Sequence, residues 1–208
     1  MNEFDHKAVE WDKNPAYHER AETVARAILK QIPLNSQMTA LEFGAGTGLL
    51  SFMFKDMLRN ITLIDSSAGM VRVTSEKIRD TGATNLKSVE FDLAHNDYTV
   101  ERFDLIYTLM VLHHVEDIEG IIMKFYGLLN QGGYLAIADL YPEDGSFHGK
   151  GFNGHRGFDT GELSEVLEKA GFTGISHGPV YTIKRQVSEN TRKRFELFLM
   201  TATKPVQA

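Results

Sequence analysis

The sequence predicts an α/β fold: a mostly parallel sheet covered on both faces by helices and finished by an antiparallel hairpin. Three observations predict it. From residue 38 onward, apolar runs of strand length alternate with segments of helical periodicity, the pattern of repeated strand–helix–strand units. The first run, Met38-Thr39-Ala40-Leu41-Glu42-Phe43, ends in the glycine turn Gly44-Ala45-Gly46-Thr47-Gly48. Near the end, 173–185 and 193–203 are two extended runs joined by a short polar stretch around Ser188-Glu189-Asn190, which fits a hairpin.

Taken in chain order, Asn14-Pro15 reads as a helix start, a cap residue followed by proline at the first helical position. Ala21, Val24, Ala25, Ile28 and Leu29 then recur at helical spacing, with Glu19, Arg20, Glu22 and Arg26 on other faces. Strands are expected near 38–43, 61–65, 86–91, 103–108 and 133–139, and helices over 47–58, 67–80, 117–129 and 160–170. No internal repeat or low-complexity tract interrupts this order.

The chain has 208 residues, 42% hydrophobic and 24% charged, enough for one domain with a sizeable core and ordinary for a soluble globular protein. A net charge of −6 argues against nucleic acid as a main partner, because phosphate neutralisation needs a basic face. The basic clusters Lys184-Arg185 and Arg192-Lys193-Arg194 flank the expected hairpin turn and read as solvated turn residues. The absence of cysteine excludes disulfides and thiolate chemistry. The start, Met1-Asn2-Glu3-Phe4-Asp5-His6, has no apolar signal core, and no segment approaches the roughly 18 consecutive apolar residues of a membrane span, so a cytoplasmic location is expected.

The glycine turn carries chemistry. It lets a ligand lie against bare backbone, and Asp65, at the tip of the run Ile61-Thr62-Leu63-Ile64-Asp65, is placed to grip a ribose through its two hydroxyls. A nucleoside-type cofactor is expected. Its kind follows from the spacing: a dinucleotide fingerprint needs a third small residue where this chain has Leu49, and the third glycine arrives one residue early, at Gly48.

Five ordered segments carry a resemblance over roughly residues 38–140. Glu42-Phe43-Gly44-Ala45-Gly46-Thr47-Gly48 resembles the first motif of the class I S-adenosylmethionine-dependent methyltransferases, and Asp65-Ser66-Ser67-Ala68-Gly69-Met70 resembles their ribose-binding segment. Val89-Glu90-Phe91-Asp92-Leu93 matches the strand end near the adenine amino group. Phe103 to His114 matches the strand and loop beneath the methionine part of the cofactor, and Leu128 to Ile137 the helix end, glycine turn and strand that follow.

The resemblance implies a Rossmann-like sheet of seven strands with the last antiparallel, binding S-adenosylmethionine and releasing S-adenosylhomocysteine. It implies cofactor contacts from Glu42, Gly44, Ala45, Gly46, Gly48, Asp65, Ser66, Met70, Asp92, Leu93, Thr108 and Leu109. Glu42 would order the glycine loop near the cofactor amino group, or be a buried acid satisfied only by loop amides. Asp65 has a second reading as a helix cap, Asp92 as an Asx turn, and Met70 as core. The expected division is a helical lid over 1–33, a cofactor core over 38–140, a substrate-side loop over 141–159, and a helix with the hairpin over 160–208. Trp11, Tyr17 and His18 would contribute to the lid, or simply pack on the sheet.

Methyl transfer asks little of side chains beyond alignment, and a general base is needed only for an acceptor that starts protonated. His113, His148 and His155 are the substrate-side candidates for catalysis, with His114 beside the first as a further possible base. The Gly- and His-rich stretch 144–159 is too long and too rich in aromatic and polar side chains for a mere connection. Imidazole and carboxylate from His148, His155 and Asp144 or Asp159 suit zinc or iron, but the spacing is no recognised ligand pattern and no metal is expected. The acceptor is expected to be a small molecule, since no basic groove or recognition domain is evident. A nicotinamide-dependent oxidoreductase and a non-catalytic cofactor-binding module are the rival readings.

Overall fold

The computed structural model describes residues 4–207; residues 1–3 of the expected lid and Ala208 lie outside the described residues. Seven strands form one sheet: β1 (Thr39–Phe43), β2 (Asn60–Asp65), β3 (Leu86–Glu90), β4 (Phe103–Leu109), β5 (Leu129–Leu140), β6 (Thr173–Ser188) and β7 (Thr191–Thr203). Their spatial order is β3-β2-β1-β4-β5-β7-β6. The first five pair in parallel, and β7 runs antiparallel between β5 and β6, which is the arrangement expected from the sequence.

Among the described residues the helices are α1 (Ala8–Trp11), α2 (Pro15–Gln31), α3 (Leu49–Phe54), α4 (Ala68–Thr81), α5 (Ile118–Leu128) and α6 (Thr160–Lys169), with a 3₁₀ turn at Leu112–His114. Local chemistry sets their starts. Asn14 accepts the Ala16 N–H ahead of Pro15, Ser67 accepts from Met70, Asp117 from Gly120, and Asp159 from Gly161 and Glu162. Asp65 is therefore not the cap of α4, because Ser67 is. The helix expected over 47–58 is shorter, since Gly48 stands in the left-handed region at φ 76° and α3 can begin only after it.

The two faces of the sheet bury separate cores, as the period of two along each strand requires. Along β4, Ile106 enters the core with α5 residues Ile121, Ile122 and Phe125. Leu105 and Tyr107 enter the opposite core, with Val24, Ala25 and Ile28 of α2 and Leu50 and Phe54 of α3. Leu29, expected in the apolar stripe of α2, lies at its margin and is 37% exposed. No helix among the described residues is long and apolar enough to cross a membrane.

The strand order also locates the site. From β1 the chain works outward to β2 and β3, then returns to place β4 on the other side of β1. Where that reversal occurs, the connections leaving β1 and β4 part and open a crevice at the carboxyl ends of the strands. Phe43 of β1 lies beside Thr108 of β4 at this point.

Candidate active site

The glycine turn leaves β1 directly at this crevice. Gly44, at φ 65°, has Val111 so close that an added Cβ would lie 2.4 Å from its side chain. Gly46, at φ 55°, faces open space, with only the Met70 sulfur reaching 4.0 Å from the same imagined atom. One glycine is thus required by packing, and the next leaves bare backbone accessible. Met70 itself is buried beneath the turn. Thr74 donates to the Gly46 carbonyl at 2.7 Å and fixes the loop on α4.

Asp65 ends β2 beside the turn. Its carboxylate accepts the Gly46 N–H at 2.7 Å and the Ser67 N–H at 2.8 Å, one on each oxygen. Burial raises its pKa, the two N–H groups oppose that rise, and the neighbouring Asp5 carboxylate adds to it. Ser66, next in sequence, is exposed. Asp92 follows β3 and turns to His95, accepting its backbone N–H at 3.3 Å and meeting its Nδ1 at 2.9 Å. Asp92 thus holds the turn after β3 through the N–H three residues on, not the N–H two residues on that an Asx turn uses. Leu93 is buried, and its carbonyl accepts from Lys124 at 3.0 Å. The strand ends stay adjacent, since the Phe91 N–H donates to the Asp65 carbonyl at 2.9 Å.

Glu42 does not reach the loop amides. Its carboxyl meets the hydroxyl and the N–H of Ser51 on α3, and the Ser51 hydroxyl is 2.6 Å from the Tyr107 hydroxyl. The alternative in which loop amides alone satisfy Glu42 is replaced by this buried triplet. Desolvation pushes the Glu42 pKa up to about 8, so the group is largely protonated at neutral pH. At the end of β4, Thr108 is buried with its hydroxyl unpartnered among the described residues, and Leu109 is partly exposed.

Residues 4–12 cross over this half of the site. Asp5 accepts from the Ser67 hydroxyl at 2.7 Å and from the Gly69 N–H at 3.1 Å. Asp12 accepts from Thr47 and pairs with Lys77 at 2.7 Å. Trp11 packs between Phe4 and Tyr17, at ring separations of 6.2 and 4.7 Å, and Phe4 meets His114 edge-on at 5.4 Å. His18 points elsewhere, to the Asp12 carbonyl.

The other half is built from histidines. The 3₁₀ turn follows Met110, a non-glycine residue at φ 60°, and carries His113 and His114. Asp139 of β5, fully buried, meets His113 Nδ1 at 2.6 Å and also accepts the backbone N–H groups of Leu140 and His113. A carboxylate receiving backbone donors acts as acceptor, which assigns a proton to Nδ1; in the neutral ring Nε2 then keeps its lone pair. That Nε2 is buried without a partner among the described residues, as is Nε2 of His148. Burial is the first cause that lowers the pKa of His114 to about 3 and of His148 to about 4, with neighbouring positive charge adding to both.

The stretch 141–159 folds back to complete this wall. The His155 N–H donates to the His113 carbonyl at 2.8 Å, and His148 stacks on Phe152 at 3.9 Å. The grouping of His148 and His155 with Asp144 or Asp159, considered as a metal set but not expected, is not assembled. His155 packs on Phe158, Asp144 binds Lys193 and Ser146, and Asp159 caps α6. What assembles instead is His113, His114 and His148. Three participants carry no local sequence signal: Asp139, Asp5 and Arg20. Arg20 reads as a solvent-face residue of α2, yet its Nε is buried and unpartnered among the described residues, and the charge of Asp139 acts on it. A hollow of about 570 Å³ lined by Tyr98, Arg102 and Lys124 shares only Leu93 with the expected site.

Comparison with known proteins adds an independent line. A family model described as methyltransferase domain matches residues 41–135. An uncharacterized methyltransferase of Schizosaccharomyces pombe is 32% identical over 122 residues, 55% of this chain and 43% of the relative, so the chain spans less than half that relative's length. A SAM-dependent methyltransferase of Aquifex aeolicus superposes with a TM-score of 0.69 at 20% identity, covering 96% of this chain and 98% of its own. Phosphoethanolamine N-methyltransferase 2 of Haemonchus contortus, in complex with S-adenosyl-L-methionine, gives 0.72 at 16% identity, covering 88% of this chain and 52% of its own.

Proposed function

We propose that the chain, whose residues 41–135 match the methyltransferase domain family, transfers a methyl group from S-adenosylmethionine to a small-molecule acceptor held at its histidine-lined end. One observation carries the reading. At the crevice between β1 and β4, an open glycine backbone and the half-buried Asp65 carboxylate lie on one side, and a group of three imidazoles on the other. The residues present fit the cofactor: Gly46 leaves main chain accessible, each Asp65 oxygen retains acceptor capacity, and Thr108 offers a buried unpartnered hydroxyl.

S-adenosylmethionine, when bound, supplies an electrophilic methyl group on a sulfonium. The protein supplies position. Asp65 would take the ribose hydroxyls, where charge-assisted hydrogen bonds are strongest. Gly44, Ala45, Gly46 and Gly48 would present backbone, Met70 an apolar floor, and Asp92 with Leu93 and Ser66 the adenine side. Glu42 acts beneath them, holding α3 to β1 and β4 through Ser51 and Tyr107. Thr108 and Leu109 border both halves. His113 and His148 would face the acceptor, with residues 4–12 excluding water above, whereas His155 supports the His113 carbonyl rather than the reacting groups. Alignment of the two reactants is worth on the order of 7–11 kcal/mol of barrier.

A thermal-shift titration tests the reading, because a ligand bound only by the folded state raises the melting temperature. S-adenosylhomocysteine should stabilise the protein and NAD should not, and Asp65→Ala should abolish most of the shift. Stabilisation by NAD alone would overturn the assignment. Turnover against a panel of small-molecule acceptors then separates an enzyme from a protein that only holds the cofactor.

A further inference from the structure

The histidine end contains more than methyl transfer requires. His113, His114 and His148 each offer one ring nitrogen, and these three atoms lie within 4.8 Å of one another. Their ring centroids lie 4.3, 5.0 and 5.2 Å apart. Two of the nitrogens, Nε2 of His113 and Nε2 of His148, are buried with no partner among the described residues. A buried polar atom left unsatisfied is costly, so two such nitrogens on neighbouring rings call for a partner.

We propose that His113, His114 and His148 form a binding site for a divalent transition-metal ion of the zinc type. The donor set selects that class. Three imidazoles without a carboxylate suit zinc or cobalt, whereas magnesium and calcium require oxygen. Asp139 supplies what such a site needs behind its ligands, since it holds the His113 Nδ1 proton at 2.6 Å and aims Nε2 inward. Phe152, stacked on His148, and Phe4, edge-on to His114, pack against two of the three rings. Three nitrogens on one zinc ion at 2.0–2.1 Å lie about 3.3 Å apart, so the group must close slightly around the ion. His148 is flanked by Gly145 and Gly149, at φ 87° and 86°, and its partly buried ring is the one that would shift towards the ion.

Three protein ligands leave a fourth position open, the arrangement of zinc sites that bind a substrate atom. An acceptor hydroxyl or thiol bound there would release its proton to solvent more readily, and its oxygen or sulfur would then bond to the methyl carbon as the sulfonium–methyl bond breaks and S-adenosylhomocysteine leaves. That use rests on the methyltransferase reading; the binding of the ion does not.

The test uses the whole chain, stripped with a chelator and titrated with Co²⁺ and then Zn²⁺. Bound metal is read by elemental analysis after gel filtration, and cobalt coordination by its visible absorption. One equivalent of metal and an intense four-coordinate cobalt spectrum are expected. His148→Ala and His114→Ala should each weaken binding at least 100-fold, Asp139→Asn by about 10–100-fold, and His155→Ala not at all. His148 is only partly buried, so its variant keeps a folded chain, checked by an unchanged response to S-adenosylhomocysteine. Substoichiometric metal, or full binding by His148→Ala, overturns the site. Turnover by metal-free protein with a pH profile abolished in His113→Asn would assign the Asp139–His113 pair to proton transfer and overturn the ion's part in activating the acceptor. Failure of the S-adenosylhomocysteine response with intact cobalt binding would sink the methyltransferase reading and leave the metal site standing.

Discussion

Glu42 shows how much one residue can carry. It is 3% exposed, hydrogen-bonded to Ser51 and held near pKa 8 by desolvation, against an ordinary value of 4.5. Between those values the unfolded chain has released the proton and the fold still holds it, so this group makes stability fall as pH rises from about 4.5 to about 8. Glu42→Gln has no proton to lose and should flatten that fall, as measured by urea midpoints at the two ends of the window. Gly48 imposes a different constraint. It sits at φ 76°, and an added Cβ would lie 2.7 Å from Leu63 in the core. Gly48→Ala should cost about 1–3 kcal/mol in the same measurement, through backbone strain and overpacking together. Both residues stand out in the sequence, Glu42 as an acid inside an apolar run and Gly48 as the misplaced third glycine. Asp139 does not, because its meaning depends on His113, far away in the chain and brought close only by the pairing of β4 with β5.

At the scale of elements, the strands most buried on both faces were the most legible. β1, β2 and β4 are continuous apolar runs bounded by turn residues and appear within about a residue of their expected limits. Glycine misled elsewhere. Gly132 and Gly133 read as a turn before a strand at 133, yet β5 begins at Leu129 and carries both glycines through a register shift opposite Phe103 and Leu105. The polar stretch of the hairpin reads as a connection, but pairing continues to Ser188 and resumes at Thr191, leaving Glu189 and Asn190 as the whole turn. α1 has no signal of its own at four residues, and its position follows from contacts to α4. The caps were readable only in part. Asp159, a candidate metal ligand by composition, holds two N–H groups at the start of α6. Asp159→Ala should lower stability by about 1 kcal/mol and leave metal content unchanged, which thermal melting and elemental analysis would show.

Across the whole molecule, residues 4–12 link parts that are otherwise independent. Asp12 reaches Thr47 and Lys77, Asp5 reaches Ser67 and Gly69, and Phe4 reaches His114. The Asp12–Lys77 pair is half-buried and makes a small contribution to global stability, but it closes the segment over the glycine turn. Asp12→Asn should therefore speed hydrogen exchange over residues 4–14 while leaving protection of β1, β4 and β5 intact. Uniform acceleration throughout the sheet would show instead that the segment supports the core.

The Phe158 N–H donates to the Leu140 carbonyl at 2.9 Å, so the excursion from 141 to 159 departs from and returns to the same spot at the end of β5. Its length is therefore uncoupled from the spacing of the elements it joins. A replacement of different size and chemistry, grafted between those two anchors, should change which small molecules bind at the histidine end while leaving the thermal response to S-adenosylhomocysteine unchanged. Diversification of this scaffold has an address.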